Sequence, residues 1–222
     1  MAAEKNGAKL PEECACRRAQ PFAMPRQRSD HHSSGDSSGI PQRIRGSPVG
    51  ATVSSVIVSW LPDDFVHPGY TPVPGTALHL RPIREADTAL DYPAVMGSQE
   101  RLWEIFGPAW GWPRETMTYE EDRVELLRHE NEAAAHRSFN YALLDEAETA
   151  ILGCVYVDPP ERIGADGEVS WWVVDELVDS EPEEALDALV PRWIATEWPF
   201  RNPRLLGRDI TWQEWLALPR VS

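Results

Sequence analysis

The residues able to do chemistry in this chain are few and scattered. His129 and His136 stand seven apart in a stretch of helical composition, so they fall near one helix face, among glutamates that would keep them solvated. His31-His32, and Cys14 with Cys16, have no partner side chains at ligand spacing and do not read as a metal site. No Ser-His-Asp spacing, zinc pattern or glycine-rich phosphate loop appears. Trp103, Phe106, Trp110 and Trp112 crowd a loop-rich segment. Such clusters are core in most proteins, yet they can wall a site for an apolar or cationic substrate. Asp175 to Glu184 carries six carboxylates in ten residues. Glu168 reads as a strand-edge carboxylate after a glycine, and Tyr156, inside an apolar strand, reads as core.

The chain that must position these groups has 222 residues and a formal net charge of −15. That length suits one domain, or one domain with a tail. Residues 1–50 hold eight basic and five acidic groups, and residues 51–222 hold thirteen against thirty-one, so a faintly basic leader precedes a strongly acidic body. The acid excess excludes a general nucleic-acid binder and an anionic-membrane binder, because both need clustered Lys and Arg. Three cysteines, Cys14, Cys16 and Cys154, form no disulfide framework, which points to a reducing compartment. With no run of eighteen apolar residues and no convincing signal peptide, the expectation is a cytoplasmic protein. Its oligomeric state is not legible, a homodimer being one option.

Residues 1–75 are rich in Pro, Ser, Gly and Arg and read as a disordered extension, with a short strand over Thr52 to Leu61. An upstream extension of the coding frame is one reading of this region. From residue 76 to 219 the pattern is that of a packed α/β domain. Strands are expected over Ala77 to Ile83, Phe139 to Leu144, Thr149 to Val157, Glu168 to Val174 and Leu205 to Ile210. Asp87 and Ser98 read as helix caps, with Pro93 interrupting the first of these helices. Thr118 and Glu121 form a capping box for a long helix whose apolar side carries Val124, Leu127 and Ala134. Ala185 to Trp198 is a helix kinked at Pro191, and Thr211 opens a last one.

This order resembles the GNAT superfamily of N-acetyltransferases. The resemblance rests on Leu78-His79-Leu80-Arg81-Pro82-Ile83-Arg84-Glu85-Ala86-Asp87, on Gly153-Cys154-Val155-Tyr156-Val157 and on Glu168-Val169-Ser170-Trp171-Trp172-Val173-Val174, and spans about residues 77–219. It implies an α/β fold, an α+β mixed sheet of the acyl-CoA N-acyltransferase type, with acetyl-CoA as cofactor and a small amine as substrate. It further implies that the backbone of Trp172, Val173 and Val174 receives the pantetheine arm, that Glu168 is the general base and that Tyr156 is the nearest phenolic acid. Trp103, Phe106, Trp110 and Trp112 would border the acceptor cleft. In the family an Arg/Gln-x-x-Gly-x-Gly/Ala loop then cradles the pyrophosphate; here Asp175 to Glu184 contains no glycine and no arginine. The alternative is therefore a GNAT-fold ligand-binding or protein-interaction module that does not use acetyl-CoA.

Overall fold

The computed structural model describes residues 60–221. Cys14, Cys16, His31, His32 and residues 52–59 of the expected first strand lie outside them. Residues 60–75, assigned from sequence to the extension, belong to the fold: Leu61 and Val73 are buried in the core and Trp60 and Phe65 pack against it. The boundary expected at residue 75 is thus too late. Pro-rich composition there disguises a lead-in anchored by a few large apolar side chains rather than by regular structure.

Strand β1 is Thr71–Pro72, β2 Leu78–Pro82, β3 Phe139–Asp145, β4 Ile151–Asp158, β5 Gly167–Val173 and β6 Pro203–Leu205. They form one six-stranded mixed sheet in the order β1-β2-β3-β4-β5-β6. The first five pair antiparallel, while β5 and β6 run parallel from Gly167↔Pro203 to Val169↔Leu205. Beyond Val169 the parallel pair ends, leaving the last four residues of β5 without a strand on that side. Central position explains composition: every residue of β5, Gly167 to Val173, is buried, so both faces must be apolar or hydrogen-bonded. Gly153 in β4 is required by close approach, because a Cβ there would lie 2.1 Å from the Trp172 carbonyl oxygen.

The helices divide between the two faces. Helix α4 (Glu181–Glu197) covers one with Leu186, Leu189, Val190, Trp193 and Ile194, a single stripe at helical spacing. The other carries α1 (Thr88–Gly97), α2 (Gln99–Trp110) and α3 (Tyr119–Ala134), around a second core that includes Leu102, Phe106, Leu126, Cys154 and Trp172. Helix α5 (Trp212–Ala217) closes the chain beside α2. The Thr118 box forms: its hydroxyl accepts from Glu121 N at 3.2 Å and its N–H donates to Glu121 Oε2 at 2.8 Å, worth about 1 kcal/mol.

Four local expectations are corrected. Helix α1 runs on through Pro93 instead of being interrupted there, the proline sitting at an exposed position. Asp87 and Ser98 make no side-chain cap bond to their helices, because both are buried and used elsewhere. Asp87 receives both terminal nitrogens of Arg81, at 2.7 and 2.9 Å, and Ser98 Oγ accepts from Asp175 N. Most consequential, Val124 and Leu127 of α3 are exposed, and the helix instead buries Asp122, Leu126 and Ala133.

Candidate functional site

The inverted register of α3 has a reason: its inner side looks partly into a cavity of about 790 Å³, a size suited to a small molecule. Helix α3 forms one wall with Asp122, Glu125, Leu126, His129 and Glu132. The segment after α2 supplies Trp110 and Trp112, α1 supplies Asp91, and the floor is β4 with Cys154, Tyr156 and Asp158. Eight of the lining residues are acids, against three arginines and one histidine. Two of those arginines are already occupied: Arg114 pairs with Glu121 at 2.7 Å, and Arg128 with Glu125 and Glu132 at 2.5 and 2.8 Å. Those pairs take up Glu121, Glu125 and Glu132, and the five remaining acids still outnumber Arg137, so the cavity favours a cation.

Its individual groups fit that sign. Burial pushes the Asp158 carboxyl up to about 6, although the Ser138 hydroxyl donates to it at 2.5 Å. Asp122 is likewise raised to about 6, first by burial and then by the nearby Glu125. His129, expected to be solvated, is partly buried and its Nδ1 accepts a hydrogen bond from Asn140 Nδ2 at 2.9 Å. The Tyr156 hydroxyl accepts from Trp172 Nε1 at 2.9 Å, linking the cavity floor to β5. Burial pushes this phenol well above its ordinary range, so it stays neutral and protonated.

The four aromatic residues singled out from sequence do not act together. Trp110 and Trp112 reach the cavity, and Phe106, fully buried, stacks behind Trp110 with ring centroids 5.4 Å apart. Trp103 is 42% exposed and lies outside the lining, covering Gly107 on the outer side of α2.

Glu168 is also outside the lining. Only 3% exposed, it accepts from Arg204 and Trp215 Nε1 through Oε1, at 2.9 and 2.8 Å, and from Glu161 N through Oε2 at 3.0 Å. Both oxygens are committed to holding β6, α5 and the loop before β5 together. That geometry is a strut, and it leaves neither oxygen free for an incoming amine.

Whether the cofactor implied by the resemblance fits can be tested at two places. Backbone alternation turns the N–H and C=O groups of Trp171 and Val173 to the side vacated by β6, because Val169 O accepts from Leu206 N and Val174 N donates to Leu152 O. An amide-bearing arm could pair along that edge, but Arg101 already donates to the Val173 carbonyl and binds Asp175 Oδ1 at 2.6 Å. Trp172 and Val174 turn their side chains into the α1–α2 core and Val173 into the α4 core.

The second place does not fit. The first turn of α4 carries Glu181, Glu183 and Glu184, with Pro182 lacking an N–H, and Glu183 accepts the Asp179 N–H at 2.7 Å. A pyrophosphate would meet carboxylates where it needs free donors.

No protein-family model matches the chain, and no curated protein matches it. Several solved structures resemble it. RimL, a ribosomal L7/L12 alpha-N-protein acetyltransferase, is 17% identical, with 57% of this chain and 65% of that one covered and a TM-score of 0.43. A probable acetyltransferase is 12% identical, covering 61% and 72%, at a TM-score of 0.49. Mycobacterium smegmatis RimJ, in complex with CoA-disulfide, is 16% identical, covering 60% and 66%, at a TM-score of 0.44. The chain thus spans just under two thirds of the RimL structure. Among the described residues no helix is long and apolar enough to cross a membrane.

Proposed function

We propose that the protein acylates a small amine, bound as a cation in the cavity, using an acyl thioester as donor. The observation that carries this reading is the cavity wall: two tryptophans and Tyr156 beside eight carboxylates, with two of the three arginines already paired. Aromatic faces and carboxylates together select an ammonium over a neutral or anionic ligand. The strand order and the open edge of β5 support acyl transfer over simple binding. A thioester supplies an activated acyl carbon, and the residues of this chain bind and orient the amine and manage its protons. Trp110 and Trp112 hold its apolar part. Tyr156 serves as the proton donor in this reading, which its being kept protonated by burial supports.

Acetyl-CoA, the donor that the resemblance implies, would bind without help from the start of α4, so its phosphates should add little affinity. The test is calorimetric titration with acetyl-CoA and with acetyl-pantetheine, which lacks the nucleotide, followed by mass spectrometry of primary amines incubated with each. The expected result is similar affinity for the two donors and an N-acetyl product. Amine binding with no product from either donor would refute acyl transfer. It would leave a cation-binding module, the reading that the carboxylates at Glu181, Glu183 and Glu184 favour.

A further inference from the structure

Deep in the cavity wall two acids meet with no base to balance them. Asp91 of α1 and Asp122 of α3 are 3% and 2% exposed, and their carboxyls lie near enough to act on each other's charge. Cys154 of β4 donates to Asp91 Oδ1 at 3.8 Å. Asp122 Oδ2 is buried without any hydrogen-bond partner among the described residues. The other charged and titratable groups facing the pair are Asp87 before α1, Glu125 on α3, and Cys154 with its neighbour Tyr156 on β4. None of them is basic. Arg81, which pairs with the neighbouring Asp87, is spent on that carboxylate and on Glu148.

Two buried carboxyls this close cannot both ionise cheaply, so near neutrality they share one proton. Burial raises both, and the neighbouring charge of Asp122 raises Asp91 further. An under-used carboxylate oxygen at the wall of an acidic cavity calls for a hydrogen-bond donor. Among the described residues no group of three or more ligating side chains is arranged to hold a metal ion. An organic ammonium, with several N–H donors on one charge, matches better.

We propose that Asp91 and Asp122 form the ammonium-binding subsite of the cavity, with an oxygen of the Asp122 carboxylate accepting directly from the amine and the shared proton leaving when the cation enters. This rests on the reading of the cavity as an amine site. The proton balance is simple: the pair with one proton carries a single negative charge, the bound ammonium faces two, and one proton goes to solvent. The neutral amine needed for acyl transfer then forms by return of an N–H proton to the same oxygen, no bond other than N–H and O–H being exchanged.

The test uses the whole protein without any acyl donor. Phenethylamine, butylamine and spermidine are titrated by calorimetry between pH 5 and 8, in two buffers of different ionisation enthalpy, with 2-phenylethanol as the neutral control. Binding of an amine with proton release, no binding of the alcohol, and at least a hundredfold loss of affinity from pH 7 to pH 5 are expected, as follows when each amine bound displaces one proton from the pair. In Asp122→Asn the affinity should fall at least tenfold and the proton release vanish. Asp91→Asn should also abolish the release. Failure of all three amines to bind, or wild-type affinity and proton release in Asp122→Asn, overturns the proposal. Amine binding through the pair with no acyl product from any thioester would leave this subsite standing and refute only the acyltransferase reading.

Discussion

Asp122→Asn should make the protein more stable at neutral pH, an unusual outcome for a buried polar residue. The carboxyl is raised from its ordinary 3.8 to about 6 in the folded chain. A carboxyl with a raised folded-state value favours folding while protonated, so its contribution is present in acid and is lost as the pH climbs through about 6. At pH 7.5 the wild type therefore carries the full cost of ionising Asp122. Holding the carboxyl that far above its ordinary value corresponds to about 3 kcal/mol, and water in the adjoining cavity screens the charge, which brings the figure to about 1–2 kcal/mol. The amide keeps the shape, removes the charge and can hydrogen-bond to Asp91. In a domain of this size that gain raises Tm by roughly 3–6 °C. The assay is urea unfolding of wild type and variant at pH 7.5 and pH 4. The variant should be more stable at pH 7.5, and the difference should shrink toward zero at pH 4, where the wild-type carboxyl is protonated. A variant less stable by the same amount at both pH values would refute the reasoning, because the carboxylate would then be a satisfied structural group.

Gly153→Ala should destabilise by about 3 kcal/mol or more in urea unfolding, since the added methyl meets the Trp172 carbonyl at 2.1 Å and only strand separation relieves it. Glu168→Ala breaks a buried ion pair and two further hydrogen bonds, for a loss of about 3–5 kcal/mol measured the same way, whereas Glu168→Gln keeps an acceptor for Trp215 and should lose less. In any folded Glu168→Gln preparation amine binding should equal wild type, and a large loss would restore Glu168 as a site residue. Tyr156→Phe should slow acyl transfer while leaving amine affinity unchanged, and should cost about 1–2 kcal/mol of stability by orphaning Trp172 Nε1.

The sheet is legible in the sequence because its strands are short, apolar runs broken by turn residues. Ile151–Asp158 and Gly167–Val173 differ from the expected spans by a residue or two at each end. Helix α3 departs from its sequence pattern for a physical reason. A search for an apolar stripe selects Val124 and Leu127, yet the inward positions at the same spacing are Asp122, Leu126, His129 and Ala133. Two of these four are polar because they line a cavity instead of filling a core. The signal is present as a second, half-polar stripe, which hydrophobic periodicity alone ranks below the first. The bonds of Glu168 are not legible at all. Its partners Arg204 and Trp215 lie 36 and 47 residues away, and nothing local ties a strand-edge glutamate to them.

The acid excess of the body thus divides into two kinds of charge that composition cannot separate. At the start of α4 the carboxylates are largely exposed and locally employed: Glu183 takes a backbone N–H, and Asp175 takes Arg101. They stabilise the fold where they stand and close that helix end to phosphate. Around Asp91 and Asp122 the carboxyls are buried, face no basic group among the described residues and lower stability at neutral pH. A protein keeps a destabilising arrangement when a ligand relieves it. By that argument function lies with the uncompensated acids of the cavity, and the conspicuous run of acids in the sequence is the less informative of the two.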